Sequence, residues 1–254
     1  MDNRDRRHRE DAPALEAQSL GFAYPGVPVL DGVSFAIPRA QRVAVIGPNG
    51  AGKSTLFQII AGLRKPASGR LLIGGLDSSG HICVAYLPQR SQIDWRFPLT
   101  VRDVVAMGRV GQIGWFRRAG PEDRAHVDRA LEQVRLTPLA ERPIDALSGG
   151  QQQRMFIARA LAQQAGIVLL DEPFNGLDPN SRDDLLQTLD MLRSEGVTVL
   201  MATHDLGSSL RDFDRVLLLN HRLQADGTPR EVLEGPALRN TFGLSFTLAA
   251  GGAL

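Results

Sequence analysis

The sequence that decides the fold of this 254-residue chain runs from an apolar segment into a glycine-rich loop. It reads Val43-Ala44-Val45-Ile46-Gly47-Pro48-Asn49-Gly50-Ala51-Gly52-Lys53-Ser54-Thr55. The apolar segment predicts a strand, and the spacing G-x-x-x-x-G-K-[ST] predicts a loop whose backbone N–H groups surround phosphates at the start of a helix. Lys53 would place a positive charge at the β and γ phosphates, and Ser54 would bind Mg²⁺. We therefore expect the chain to bind ATP or GTP.

Composition and length define the class of protein. With 43% hydrophobic residues in 254, the chain suits one large domain or a core with an inserted subdomain. Its apolar runs are far shorter than the roughly 18 residues that span a bilayer, so no transmembrane helix is predicted. The net charge of +1 gives no reason to expect a nucleic-acid partner. The five histidines are scattered, without the short spacings of a transition-metal site.

The two ends of the chain are expected to be mobile. Residues 1–12 mix Arg with Asp and Glu and lack an apolar core, so they predict a charged tail and not a secretory signal. A basic contact with lipid or nucleic acid is the alternative for this tail. Residues 249–252 are small and flexible. The single cysteine, Cys83, excludes an intrachain disulfide and fits a reducing cytosol.

Two kinds of strand pattern predict two sheets. Short runs on either side of the phosphate loop suggest an antiparallel β layer, at 15–20, 33–37, 71–74 and 82–87. Near-continuous apolar runs lie at 167–171, 197–203 and 216–220 and alternate with amphipathic helices. They predict the buried parallel strands of a doubly wound α/β core. Helices are predicted at 53–63 and 180–195, the second ending at Gly196.

Residues 90–162 change to a helical period and are predicted to be an inserted helical subdomain. Its expected helices lie at 100–107, 122–134 and 148–162. The nucleotide-binding core with its β layer would then comprise residues 13–89 and 163–254.

Two adjacent carboxylates, Asp171 and Glu172, follow a buried strand at the edge where open α/β sheets bind ligands. Because side chains alternate along a strand, the two should point in different directions. We assign Asp171 to Mg²⁺ and Glu172 to the general base that activates water. A second glycine signal, Leu147-Ser148-Gly149-Gly150-Gln151, also opens a predicted helix and offers a hydroxyl and N–H groups to an anion. Taken alone, Ser148 could simply cap its own helix.

These motifs together resemble the ATP-binding subunit of an ATP-binding-cassette transporter, over essentially the whole chain. Six features arrive in the family's order: the phosphate loop ending at Thr55, Gln89 in Leu87-Pro88-Gln89, the signature Leu147 to Gln151, Asp171-Glu172, Leu177-Asp178, and His204. The resemblance implies a P-loop NTPase core of the RecA-like type, with the antiparallel β layer and the helical subdomain. It also implies ATP and Mg²⁺ as cofactors.

The resemblance extends to residue roles. It implies that Tyr24 stacks on adenine, that Gln89 serves Mg²⁺ and catalysis, and that His204 contacts the γ phosphate; alone, Tyr24 and His204 would more often be structural. Such subunits pair head to tail, so a homodimer is expected. The phosphates on one loop would then meet Ser148, Gly149 and Gly150 of the second copy, with Gln151 and Asp178 nearby. The loop Phe174-Asn175-Gly176-Leu177-Asp178 lacks the family's usual Ser-Ala opening, which leaves details of subunit cross-talk open.

The segment after Gln89 resembles the manganese, zinc and iron importer branch of the family. Its aromatics, Trp95, Phe97, Trp115 and Phe116, could be subdomain core, a groove for a helix of the membrane subunit, or a mixture. The resemblance implies ATP-driven uptake of a divalent metal through a separate permease, at the cytoplasmic face of the membrane, with an extracytoplasmic metal-binding protein upstream. An importer of chelated iron or haem is the nearer alternative, and a soluble cassette ATPase acting on nucleic acid or ribosomes is the distant one.

Overall fold

The structure is a computed structural model, and it describes residues 9, 11–78, 83–114 and 118–243. The predictions for the C-terminal tail and for Trp115 and Phe116 lie outside the described residues, as does most of the N-terminal tail. Within the described ranges, no helix combines the length and apolarity needed to cross a membrane.

The described chain alternates strands and helices. The strands are β1 (Leu15–Tyr24), β2 (Val27–Ile37), β3 (Arg42–Ile46), β4 (Ser68–Ile73), β5 (Leu76–Asp77), β6 (Val84–Leu87), β7 (Ile167–Asp171), β8 (Thr198–Thr203), β9 (Arg215–Asn220) and β10 (Arg222–Gly227). The helices are α1 (Lys53–Ile60), α2 (Val101–Ala106), α3 (Val110–Ile113), α4 (Pro121–Gln133), α5 (Gly149–Ala162), α6 (Pro179–Ser194), α7 (Pro229–Glu234) and α8 (Pro236–Phe242). Short 3₁₀ turns lie at Arg90–Gln92, Met107–Arg109, Thr137–Leu139, Ile144–Ala146 and Ser208–Asp212.

A six-stranded sheet in the order β10-β9-β3-β8-β7-β6 forms the centre of the molecule. All neighbouring strands are parallel except the β9–β10 pair. Strand alternation divides the apolar side chains between two cores: Val168 and Leu170 pack with the helices that follow β6, whereas Ile167 and Leu169 pack with α1 and the smaller sheet. Asp171 continues the alternation of Ile167 and Leu169, which places it on the side of α1.

The smaller sheet is antiparallel in the order β2-β1-β4-β5. It covers α1 and one face of the central sheet through a shared apolar core. One sequence prediction was wrong here. The run at 82–87 was assigned to the antiparallel layer, but β6 pairs in parallel with β7 at the edge of the central sheet. Strand β6 is short and only partly buried, which is also typical of a strand in an outer layer. Only its pairing with β7, which is distant in the sequence, decides which sheet it joins. The antiparallel edge strand β10 was not predicted.

Helices α2 to α5 fill the chain between β6 and β7. Thr100 caps α2 through a capping box with Asp103, and Ser148 caps α5 through a capping box with Gln151. The buried guanidinium of Arg109 links the first turn of α4 to the end of α5, since it pairs with Asp123 at 3.1 Å and donates to the Ala162 carbonyl at 2.9 Å.

Candidate functional site

The phosphate loop lies between β3 and α1, where the sequence predicted it. Gly50 and Gly52 adopt φ of +82° and +97°, a region that favours glycine. A Cβ atom on Gly47 would overlap the Leu219 carbonyl oxygen of β9, so this position requires glycine for close approach. None of the described side chains caps α1, and no acidic residue lies in its first turn, which leaves the first N–H groups of the helix to a ligand.

Lys53 is buried at the start of α1. Its Nζ donates to the carbonyl oxygens of Gly47 at 2.8 Å and Pro48 at 3.0 Å. Burial lowers the pKa of Lys53, while the negative charges of Glu172 and Asp171 act in the opposite direction. The ammonium group is thus held across the loop, with two carboxylates near it.

A cavity of about 280 Å³ opens over the loop. It is lined by Tyr24, Val29, Asn49, Gly50, Ala51, Gly52, Lys53, Ser54, Thr55, Gln89 and Glu172. The structure therefore brings the predicted aromatic, the glutamine after β6 and the predicted base together with the phosphate loop, from four separate parts of the chain.

Asp171 ends β7 and is 2% exposed. The Tyr86 hydroxyl donates to its Oδ2 at 3.2 Å, while Oδ1 is buried without a hydrogen-bond partner in the described part of the chain. Burial raises the pKa of Asp171, and the neighbouring Ser54 and Tyr86 side chains oppose that effect.

The Ser54 hydroxyl and an unpaired carboxylate oxygen are hard oxygen ligands, which is the donor type that Mg²⁺ prefers. Among the described residues, no cluster of three or more His, Cys, Asp or Glu side chains could hold a metal. Mg²⁺ commonly binds through one or two carboxylates together with substrate phosphates, so these two residues fit a magnesium ion that accompanies a nucleotide.

Glu172 follows Asp171 and adopts φ of +51° in the left-handed region, which is costly for a residue with a Cβ atom. Its Oε1 lies 3.1 Å from His204 Nδ1, and its Oε2 accepts a short hydrogen bond from the Asn175 side chain. The Glu172 side chain is 11% exposed, against 45% for His204. The structure thus places His204 beside the predicted base, at the end of the neighbouring strand.

Tyr24 ends β1, and its ring is partly exposed at the cavity. Phe22 packs edge-on against it, with the ring centroids 5.2 Å apart. The Arg64 guanidinium lies over the Tyr24 ring, 4.9 Å from its centroid.

A second group of predicted residues lies elsewhere, around the starts of α5 and α6. Ser148 is exposed, and Asp178 caps α6 by accepting from Ser181 N at 3.0 Å. Hydrogen bonds from Ser181 lower the pKa of Asp178. A Cβ atom on Gly150 would lie 2.8 Å from Ser181 Oγ, so the two helix starts are in close contact. The members of this group are Ser148, Gly149, Gly150, Gln151 and Asp178, and none of them lines the cavity over the phosphate loop in the described structure.

Two residues of the site were missed by sequence reasoning: Tyr86, which contacts Asp171, and Asn175, which contacts Glu172. Tyr86 pairs across the sheet with Leu169, two residues before Asp171, and this register is not readable from sequence. Asn175 lies in the loop that was noted as unusual for the family.

The aromatic residues after Gln89 are divided between core and surface. Trp95 packs edge-on against Phe156 at 5.9 Å and donates from Nε1 to the Arg90 carbonyl at 3.1 Å. Phe97 is 59% exposed. A mixture of core and surface roles, which was one of the sequence interpretations, describes these two residues.

Comparison with known proteins gives consistent matches. The profile of the ABC transporter family matches residues 30–175. The zinc transport system ATP-binding protein TroB of Treponema pallidum is 46% identical over 217 residues, which cover 85% of this chain and 82% of TroB. The manganese transport system ATP-binding protein MntB of Halalkalibacterium halodurans is 40% identical over 230 residues, 91% of this chain and 92% of that relative.

A third relative is the chelated iron transport system membrane protein YfeB of Yersinia pestis. It is 42% identical over 235 residues, which cover 91% of this chain and 79% of YfeB. Among solved structures, cbiO1 of Clostridium perfringens, described as part of the ABC transporter complex cbiONQ, matches with a TM-score of 0.76. It is 30% identical, and the match covers 92% of this chain and 96% of cbiO1.

Proposed function

The chain belongs to the ABC transporter family and is an ATPase of that family, and from this premise we propose that it powers a membrane permease that imports a divalent metal ion. The observation that carries the proposal is the convergence of Tyr24, Gln89 and Glu172 on the cavity over the phosphate loop. Its three relatives named for zinc, manganese and chelated iron transport support the class of substrate.

The cavity suits ATP in one orientation. The triphosphate would lie on the loop from Gly47 to Thr55, with the base against Tyr24. Ser54 and Asp171 would hold Mg²⁺, with Gln89 adjacent, and the ion would neutralise charge on the β and γ phosphates. Glu172 would accept a proton from the attacking water, and His204 would contact the γ phosphate from its position beside Glu172.

The second group, Ser148, Gly149, Gly150, Gln151 and Asp178, would complete the site of a second copy of the chain. Two observations support this assignment: Ser148 is exposed, and the group lies away from the cavity of its own chain. A homodimer would then contain two ATP sites, each built from two copies. In this arrangement we assign residues 13–89 and 163–254 to the nucleotide-binding core, and residues 90–162 to the helical subdomain.

We place the subunit at the cytoplasmic face of a membrane, bound to its permease. The exposed Phe97 and the neighbouring half-buried Trp95 offer an apolar surface on the helical side of the molecule for that contact. The metal ion is cargo: an extracytoplasmic binding protein would deliver it to the permease, and it would not touch this chain.

The test is accumulation of manganese, zinc and iron in cells that carry Lys53→Ala, measured by elemental analysis under metal limitation. Lys65→Ala, which changes an exposed lysine downstream of the loop, is the matched control. We expect selective loss of one metal with Lys53→Ala and normal accumulation with Lys65→Ala. Unchanged accumulation of all three metals, with ATP hydrolysis intact in the purified wild-type protein, would refute the metal assignment.

The second candidate is an ATPase subunit for chelated iron or haem, which the match to YfeB favours. Both candidates share every residue of the ATP site, so the cargo must be tested directly. Supplying iron as free salt or as a chelate to the Lys53→Ala cells separates them: the chelate importer loses uptake of the chelate only.

A further inference from the structure

Three polar side chains lie in a row between Tyr24, which lines the nucleotide cavity, and Asp171 at the end of β7. Arg64 Nε donates to Gln58 Oε1 at 2.5 Å. The Gln58 side chain lies beside the Tyr86 hydroxyl, and this hydroxyl donates to Asp171 Oδ2 at 3.2 Å. Gln58 lies on α1, Arg64 lies four residues beyond the end of this helix, and Tyr86 lies on β6.

All the hydrogen bonds of this row run in one direction. A guanidinium has donors only, so Arg64 fixes the Gln58 amide with its oxygen towards Arg64. The amide nitrogen is then left to donate to the Tyr86 oxygen, and the single Tyr86 proton goes to Asp171. Hydrogen bonds arranged in this way polarise one another, and this row ends at the carboxylate of Asp171.

At one end of the row, Arg64 supports Tyr24. Its guanidinium lies 4.9 Å from the Tyr24 centroid and 5.7 Å from the Phe22 centroid. Tyr24 lines the nucleotide cavity, whereas Arg64 is not among the residues that line it. A backbone bond from Arg64 N to the Gln58 carbonyl at 3.2 Å fixes the position of Arg64 further.

At the other end, Tyr86 orients Asp171. Its hydroxyl occupies Oδ2, while Oδ1 remains buried and unpaired in the described structure. A carboxylate held by one oxygen presents the other in a fixed direction, and such outer contacts of a metal ligand commonly contribute tenfold or more in metal affinity.

We propose that Arg64, Gln58 and Tyr86 form a positioning relay that holds Tyr24 against the base and Asp171 towards Mg²⁺ in the same site. This inference rests on the proposed function, because it takes Tyr24 as the base contact and Asp171 as the metal ligand. The three residues touch neither the nucleotide nor the ion, so they act through the residues that do.

The test uses binding of ADP and pyrophosphate to the full chain by calorimetry, with and without Mg²⁺, so that no turnover occurs. The ratio of the ADP and pyrophosphate affinities measures how much the base and its ribose contribute to binding. The Mg²⁺ concentration that half-maximally tightens ADP binding measures the affinity of the site for Mg²⁺. Gln58→Leu breaks both links at nearly constant volume, and Gln187→Leu, an exposed glutamine of α6, is the matched control.

We expect Gln58→Leu to lower the ADP-to-pyrophosphate ratio about fivefold, because an aromatic stack on a base contributes 1–3 kcal/mol and is only partly lost. We expect the required Mg²⁺ concentration to rise about tenfold. Arg64→Ala should change mainly the ratio, and Tyr86→Phe, which removes one hydroxyl and preserves packing, should change mainly the Mg²⁺ requirement. Arg64→Ala in a Tyr24→Ala background should have no further effect on the ratio.

Two benchmark variants separate the relay from the function it rests on. If Tyr24→Ala leaves the ratio unchanged, or Asp171→Asn leaves the Mg²⁺ dependence unchanged, the residue roles of the proposed function fail. If both benchmarks respond while Arg64→Ala and Tyr86→Phe bind like wild type, the relay is refuted alone. The second result can be obtained even if Gln58→Leu does not fold.

Discussion

Replacing Glu172 by Gln tests the proposed base most directly. A positioned general base contributes about 100- to 10,000-fold to rate, so the activation free energy of hydrolysis should rise by roughly 3–5 kcal/mol. Nucleotide affinity should stay close to that of wild type, because the amide has nearly the shape of the carboxylate.

The contacts of Glu172 support this separation of binding from turnover. Its Oε2 accepts from Asn175, and the amide oxygen of a glutamine can do the same. The amide nitrogen would then face His204 Nδ1, which accepts a hydrogen bond when the neutral ring carries its proton on Nε2. The variant can therefore keep both contacts and the backbone conformation of the loop.

The assay is phosphate release at saturating ATP, run beside equilibrium binding of ATP. Glu132→Gln, an exposed glutamate on α4, serves as the matched control and should hydrolyse like wild type. Hydrolysis by Glu172→Gln within about threefold of wild type would remove Glu172 from the base role. Loss of ATP binding together with hydrolysis would show that the residue maintains the site and does not act only in the reaction.

Three further results are expected. Tyr24→Ala should weaken ATP binding by about 1–3 kcal/mol in equilibrium dialysis, and an unchanged affinity would mean that the base lies elsewhere. Arg109→Ala should lower the free energy of unfolding in urea by about 3–5 kcal/mol, since it removes a buried guanidinium that pairs with Asp123 and donates to the Ala162 carbonyl, whereas exposed Arg129→Ala should change it by less than about 0.5 kcal/mol. Asp171→Asn should raise the free energy of unfolding at pH 7. Burial raises the folded pKa of Asp171 above its ordinary 3.8, so the wild type loses stability as the pH rises from 3.8 through that folded value. The asparagine variant has no such group and should not lose stability in this way. Equal slopes of stability between pH 4 and pH 7 in the two proteins would contradict this last expectation.

The family, the α/β fold class and the ATPase activity predicted from sequence are confirmed by the comparisons. The strongest local patterns gave reliable elements. The apolar run before Asp171 became β7. The spacing of Leu185, Leu186, Leu189 and Leu192 predicts one apolar face for α6; three of them are buried, and Leu186 is half-buried. The roles of individual site residues remain predictions, to be tested as above.

The remaining features depend on distant contacts. The sheet that β6 joins is decided by pairing with β7, some eighty residues away, so the pattern at 82–87 could not decide it. The left-handed backbone of Glu172 contradicts local preference and is imposed by the surrounding fold, with its N–H bonded to the Ala202 carbonyl at 2.9 Å. Gln58, Arg64 and Tyr86 carry no motif, and only the folded chain brings them into one row.

The close approach of β9 to Gly47 bears on which fragment of this protein can stand alone. The region that matches the family profile ends at residue 175, yet the Leu219 carbonyl abuts Gly47, and His221 N donates to the Ala51 carbonyl at 3.0 Å. The wall behind the phosphate loop therefore comes from the last third of the chain. A truncated chain that keeps every nucleotide motif but stops before β9 would expose one edge of β3 and lose this support, so the smallest unit able to bind ATP extends at least to residue 221.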